Sequence, residues 1–119
     1  MNFKSSWITD EADQDMINYA EAAGKKLKKE EFTTSQIRNI FGEIRRIQSG
    51  GYTKNKASFL LLQPKVAYLV GRNNKILGIK IFRDIFEKAA KSVSDEKSYQ
   101  NFCNLMEAIV AYHKFNGGE

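Results

Sequence analysis

The chain has 119 residues, 42% hydrophobic, with one proline, eight glycines and one cysteine. That length predicts one domain that can bury a core without disulfides or metals, and the even spread of aliphatic and aromatic residues excludes a disordered tail. The formal charge of +5 makes a polyanionic partner plausible without naming one. Residues 1–6 begin no apolar stretch of the signal-peptide type. The apolar runs Phe59–Leu62 and Val66–Val70 are too short to cross a bilayer. These features point to a cytosolic protein with no membrane partner.

The periodicity is helical nearly throughout, and five helices are expected in an all-α, single-domain bundle over residues 1–119. The first is expected from about Asp10 to Glu30. Thr9 or Asp10 would cap it, Ala12, Met16, Tyr19, Ala20, Ala23 and Leu27 would form its apolar stripe, and acidic and basic clusters lie at its start and end in the order the helix dipole favours. The second opens on Thr33, whose pairing with Gln36 fits a capping box. Its stripe is Ile37, Ile40, Phe41, Ile44 and Ile47, and Ser49-Gly50-Gly51 ends it.

The third element, about Asn55 to Arg72, is apolar nearly all round, which predicts a central, buried helix. Pro64 must kink it or begin a new segment, having no N–H to give the preceding turn. The fourth covers about Lys75 to Val93, on a stripe of Ile79, Phe82, Ile85, Phe86 and Ala89; a strand over Ile76–Phe82 is the alternative. The fifth is expected after Ser94 as N-cap. It carries Tyr99, Phe102, Cys103, Met106, Ile109, Val110 and His113 on one face and stops at Asn116-Gly117-Gly118.

No catalytic, metal or cofactor site is expected. The acids from Asp10 to Asp15 read as dipole complementation at a helix start more readily than as metal ligands. His113, the only histidine, lies on an apolar seam and reads as a packed residue before an acid–base group. Cys103 reads as a small core hydrophobe. Ten residues of helix, roughly 15 Å, would separate it from His113.

The basic residues say more. Arg38 and Arg45 are seven apart on the second helix, with Arg46 beside them, roughly opposite the isoleucine stripe. Gly42 lies between them, either for close helix packing or to let a phosphate approach. Lys65 and Arg72 repeat the seven-residue spacing on the third element; Lys54 and Lys56 precede it, and Lys114 closes the last helix. Arg72 and Lys114 equally suit the dipole at a helix C-terminus. Tyr19, Tyr68, Tyr99 and most phenylalanines fall on apolar faces, so base stacking has little support. Sequence-independent backbone contact fits better.

Three stretches resemble the small helical subunit of the type III-A CRISPR–Cas effector, the Csm complex. They are Thr33-Thr34-Ser35-Gln36-Ile37-Arg38, then Gln63-Pro64-Lys65-Val66-Ala67-Tyr68 followed by Gly71-Arg72, and Glu107-Ala108-Ile109-Val110-Ala111-Tyr112-His113-Lys114-Phe115. The resemblance implies a non-catalytic all-α subunit present in several copies, stacked with further copies of itself and with other Csm subunits along the crRNA–target RNA duplex. Target cleavage would belong to a neighbouring backbone subunit. Its motifs carry RNA-contact roles to Arg38, Lys65, Arg72 and Lys114; Arg45, Arg46, Lys54 and Lys56 are added from spacing alone. The competing reading is a small helix-turn-helix DNA-binding regulator, for which the loop and the apolar third helix fit poorly. A metal-dependent nuclease is a more distant third.

Overall fold

The computed structural model describes residues 2–119 and confirms the all-α architecture. Seven α-helices follow one another among these residues: α1 (Ser6–Thr9), α2 (Gln14–Lys29), α3 (Arg38–Gly50), α4 (Lys56–Leu60), α5 (Leu62–Arg72), α6 (Leu77–Ala90) and α7 (Glu96–Phe115). Short 3₁₀ turns at Thr34–Ile37 and Thr53–Asn55 lead into α3 and α4. The molecule measures 35 × 32 × 21 Å.

Helix α7 is the hub, packed on α1, α2, α3 and α6. All but Val110 of the face expected for it, from Tyr99 through His113, is buried, and so is the whole expected stripe of α6. The aromatic rings interlock in the middle. Tyr99 stacks on Tyr52 at 5.4 Å, Phe59 meets Tyr99 and Phe102 edge-on at 5.2 Å, and Phe86 meets Phe102 at 5.6 Å. Such pairs add about 0.5–1.5 kcal/mol each to the burial of their surfaces.

Helices α2 and α7 run side by side in the same direction. Asn101, near the start of α7, donates to the carbonyls of Ile8 and Asp10 just before α2, at 2.9 and 3.0 Å. Further along, Gly24 of α2 lies against the backbone of Tyr112 and His113. A Cβ there would sit 2.6 Å from the His113 nitrogen, so only glycine permits this approach. Where the two helices end, the buried His113 ring bonds the Phe32 carbonyl at 2.8 Å through Nε2, and Gly118 closes over its other side. The packed role expected for His113 is therefore the one observed.

The helix boundaries depart from expectation in five places. The first long helix starts at Gln14, not Asp10, because Asp13 is extended and its carboxylate accepts the Met16 N–H at 2.8 Å. Ala12 consequently lies outside the stripe and is exposed. Before it, α1 carries Trp7 and Ile8 fully into the core, with Trp7 against Phe3 and Tyr19. At α7 the N-cap is Asp95, not Ser94. Its carboxylate accepts the Ser98 N–H at 2.8 Å and the Ser98 hydroxyl accepts the Asp95 N–H at 3.0 Å, a box in which both free donors are satisfied. The expected box at Thr33 does form, Gln36 accepting the Thr33 N–H at 3.0 Å, but it opens a 3₁₀ turn.

The third element is the largest departure. It is neither one helix nor central: the chain breaks at Leu61, and α5 starts afresh at Leu62 with Pro64 in its first turn, where a missing N–H costs nothing. Only Phe59, Leu62 and Val66 turn fully inward, while Leu60, Leu61 and Tyr68 are more than half exposed. Phe59, Leu62 and Val66 recur at steps of three and four residues, so across the interruption the buried residues keep one helical face and much of the remaining apolar run turns to solvent. The strand alternative for Ile76–Phe82 is excluded, since α6 is helical from Leu77.

A cation-lined groove between α3 and α5

Helix α3 buries Ile40, Ile44 and Ile47, following Ile37, and presents Arg38, Asn39, Gly42, Arg45 and Arg46 outward, as its period requires. Helix α5 buries Leu62 and Val66 and presents Lys65, Tyr68 and Arg72. The two helices pack together, and between their outward edges lies an open groove of about 930 Å³. Arg38, Lys65 and Arg72 all line it, with Ser35, Gln36, Asn39, Glu43 and Tyr68. Three cations chosen from two separate helices thus meet in one depression.

Their charges are largely uncompensated. Among the described residues none of the three forms an ion pair; the groove's acid, Glu43, is engaged by Arg46 at 2.9 Å. That hydrogen bond from Arg46 holds the Glu43 carboxyl below its ordinary range, with Lys65 contributing more weakly. Arg46 is thereby spent on a neighbour and does not line the groove. Gly42 separates the two readings offered for it: a Cβ there would meet nothing within 4 Å, so it is not a packing glycine. It leaves the groove floor open and continues into a smaller depression of about 320 Å³ lined by Thr34, Ile37, Arg38, Phe41, Arg45 and Val110.

The remaining basic residues lie elsewhere. Lys54 and Lys56 are exposed around the start of α4, and Lys114 is exposed in the last turn of α7; none lines either depression. One groove residue escaped the sequence reading. Tyr68 falls within an apolar run and was expected on a buried face, yet it is 67% exposed beside Lys65 and Arg72.

Of the early acids, Asp13 caps α2 and Asp15 pairs with Lys4 at 2.7 Å. No group of three or more histidine, cysteine or acidic side chains among the described residues could hold a metal. Cys103 is buried, and burial pushes its thiol up to about 11. No helix among the described residues is long and apolar enough to cross a membrane.

A small, basic, all-α domain with an exposed cationic groove is the class defined by these features. Residues 10–119 match the family described as Csm2 Type III-A. The chain is also 31% identical to the CRISPR system Cms protein Csm2 of Streptococcus thermophilus, over 90% of its own length and 95% of that protein's. No solved structure gives a significant match. The chain belongs to the Csm2 type III-A family and is a small helical subunit of the type III-A CRISPR–Cas (Csm) effector complex.

Proposed function

We propose that this subunit binds the RNA backbone through the α3–α5 groove, stacking in several copies along the crRNA–target RNA duplex without catalysing a reaction, in the cytoplasm. The observation that carries this reading is the convergence of Arg38, Lys65 and Arg72, exposed and outside any ion pair among the described residues, on one open face. Three cations held by two rigid helices suit phosphates, whose spacing does not depend on sequence. Arg45, in the adjoining depression, extends the same path. Lys54, Lys56, Arg46 and Lys114 are then secondary contacts at most. One copy offers few phosphate contacts, so affinity would come from many copies held on one strand.

The helix-turn-helix alternative gains nothing from the fold. After α3 the chain makes a 3₁₀ turn and a helix of five residues, which offers no recognition helix to enter a major groove.

The test is the salt dependence of RNA association by the assembled complex, with Arg38→Ala and Lys65→Ala combined. Each lost phosphate contact lowers the slope of log affinity against log salt by roughly 0.7–0.9. The double variant should therefore lose roughly 1.4–1.8 for each copy engaged. An unchanged slope and affinity would assign RNA binding to another face.

A further inference from the structure

We infer that the groove takes an unpaired RNA nucleotide, with Tyr68 as the surface on which its base stacks and the surrounding cations holding the flanking phosphates. This deepens the backbone-binding reading above and rests on it for the RNA. The inference comes from the position of one aromatic ring. Tyr68 is 67% exposed, although a large aromatic side chain gains by burial. It makes no close ring–ring contact with any other aromatic residue described, whereas Tyr52, Tyr99 and Tyr19 all do.

Its helical neighbours fit that use. Lys65 precedes it by one turn and Arg72 follows by one turn, so both project from the same side of α5. Across the groove stand Arg38 and the exposed Asn39, an amide with one acceptor and two donors and no hydrogen-bond partner among the described residues. An exposed ring flanked by cations is the combination that single-stranded nucleic acid requires, because every base has a π-face and every linkage a charge. A paired duplex offers phosphates but keeps its base faces stacked internally. A groove meant only for duplex backbone has no use for a bare tyrosine in its lining. Gly42, in the lining and with nothing within 4 Å of where its side chain would begin, leaves a base room to enter.

The experiment measures binding of the full chain, at low salt, to a labelled RNA strand of about twelve nucleotides. The same strand is then offered as a perfectly paired duplex. Stacking worth about 1–3 kcal/mol per base corresponds to a loss of roughly five- to 150-fold on removing the ring. Tyr68→Ala should show that loss on the single strand and less than about a twofold change on the duplex, with the salt slope unaltered. Tyr68→Phe, which keeps the ring, should bind like the wild type. In the assembled complex, a 5-iodouridine strand should photocrosslink to Tyr68.

Equal losses on both RNA forms, no loss on either, or no single-strand binding by the wild type would overturn the inference. So would a Tyr68→Ala variant that leaves the assembled complex while binding RNA normally, since the ring would then be a contact for another subunit. The backbone reading is judged by the salt slope of the Arg38 and Lys65 variants. Either conclusion can therefore fail while the other stands.

Discussion

Two glycines in the middle of helices predict opposite outcomes for the same substitution. In the interior of a helix, Gly→Ala gains about 1 kcal/mol by restricting the unfolded chain and improving propensity. At Gly42 nothing stands within 4 Å of the new methyl group, so that gain should appear almost undiminished. At Gly24 the methyl would lie 2.6 Å from the His113 nitrogen and 2.8 Å from both the Tyr112 carbonyl carbon and Cβ. Those atoms are backbone or fixed to it, so no side-chain rotation relieves the contact, and α2 must move off α7. Overpacking of this kind costs typically 1–3 kcal/mol, and an opening of the main helix pair belongs at or beyond the upper end. The net change for Gly24→Ala is a loss of about 2 kcal/mol or more. With unfolding entropy near 2.1 cal/mol/K per residue, 1 kcal/mol moves the midpoint of a chain this size by about 4 °C. Calorimetry should thus place Gly24→Ala about 8 °C or more below the wild type and Gly42→Ala about 4 °C above it. A Gly24→Ala protein as stable as the wild type would refute the close α2–α7 approach.

Three other outcomes follow from the packing. Trp7→Ala removes the largest fully buried side chain and should destabilise by about 3–5 kcal/mol in urea titration, although it lies in a helix of only four residues. Glu96→Gln tests the joint between α7 and the loop after α3, where the carboxylate accepts the Thr53 and Tyr52 N–H groups at 2.8 and 3.1 Å. Those bonds lower its pKa from 4.5, so its contribution is present above that value and lost as the pH falls through the folded-state pKa. The wild type should accordingly melt above the variant at neutral pH, with the gap closing below pH 4.5. Cys103, buried and with its thiol pushed up to about 11, should resist iodoacetamide at pH 8 until the protein is unfolded. Rapid alkylation of the native protein would contradict its place in the core.

The stripes of α2, α3, α6 and α7 were legible because a 3.6-residue period reports burial directly when a helix has one apolar side. Asn55–Arg72 misled for the same reason. Its leucines are too dense to show a period, and which face turns inward, that of Phe59, Leu62 and Val66, is a matter of tertiary fit. Trp7 and Ile8 form less than two turns, too short for any period, so their burial came unannounced. At the groove, spacing paired Arg38 with Arg45 and Lys65 with Arg72, each pair within one helix. Which members meet across helices depends on how α3 packs on α5, and that selects Arg38 with Lys65 and Arg72 while leaving Lys54, Lys56 and Lys114 aside. Tyr68 was missed because apolar neighbours in sequence were taken for apolar neighbours in space.

The parallel course of α2 and α7 governs when this protein can finish folding. Parallel neighbours cannot be joined by a tight turn, and here α3 to α6 intervene before α7, which packs on both α1 and α2, is made. During synthesis at about 5–20 residues per second, the first long helix therefore waits several seconds for this partner. Completion of the fold is accordingly an event of the last helix.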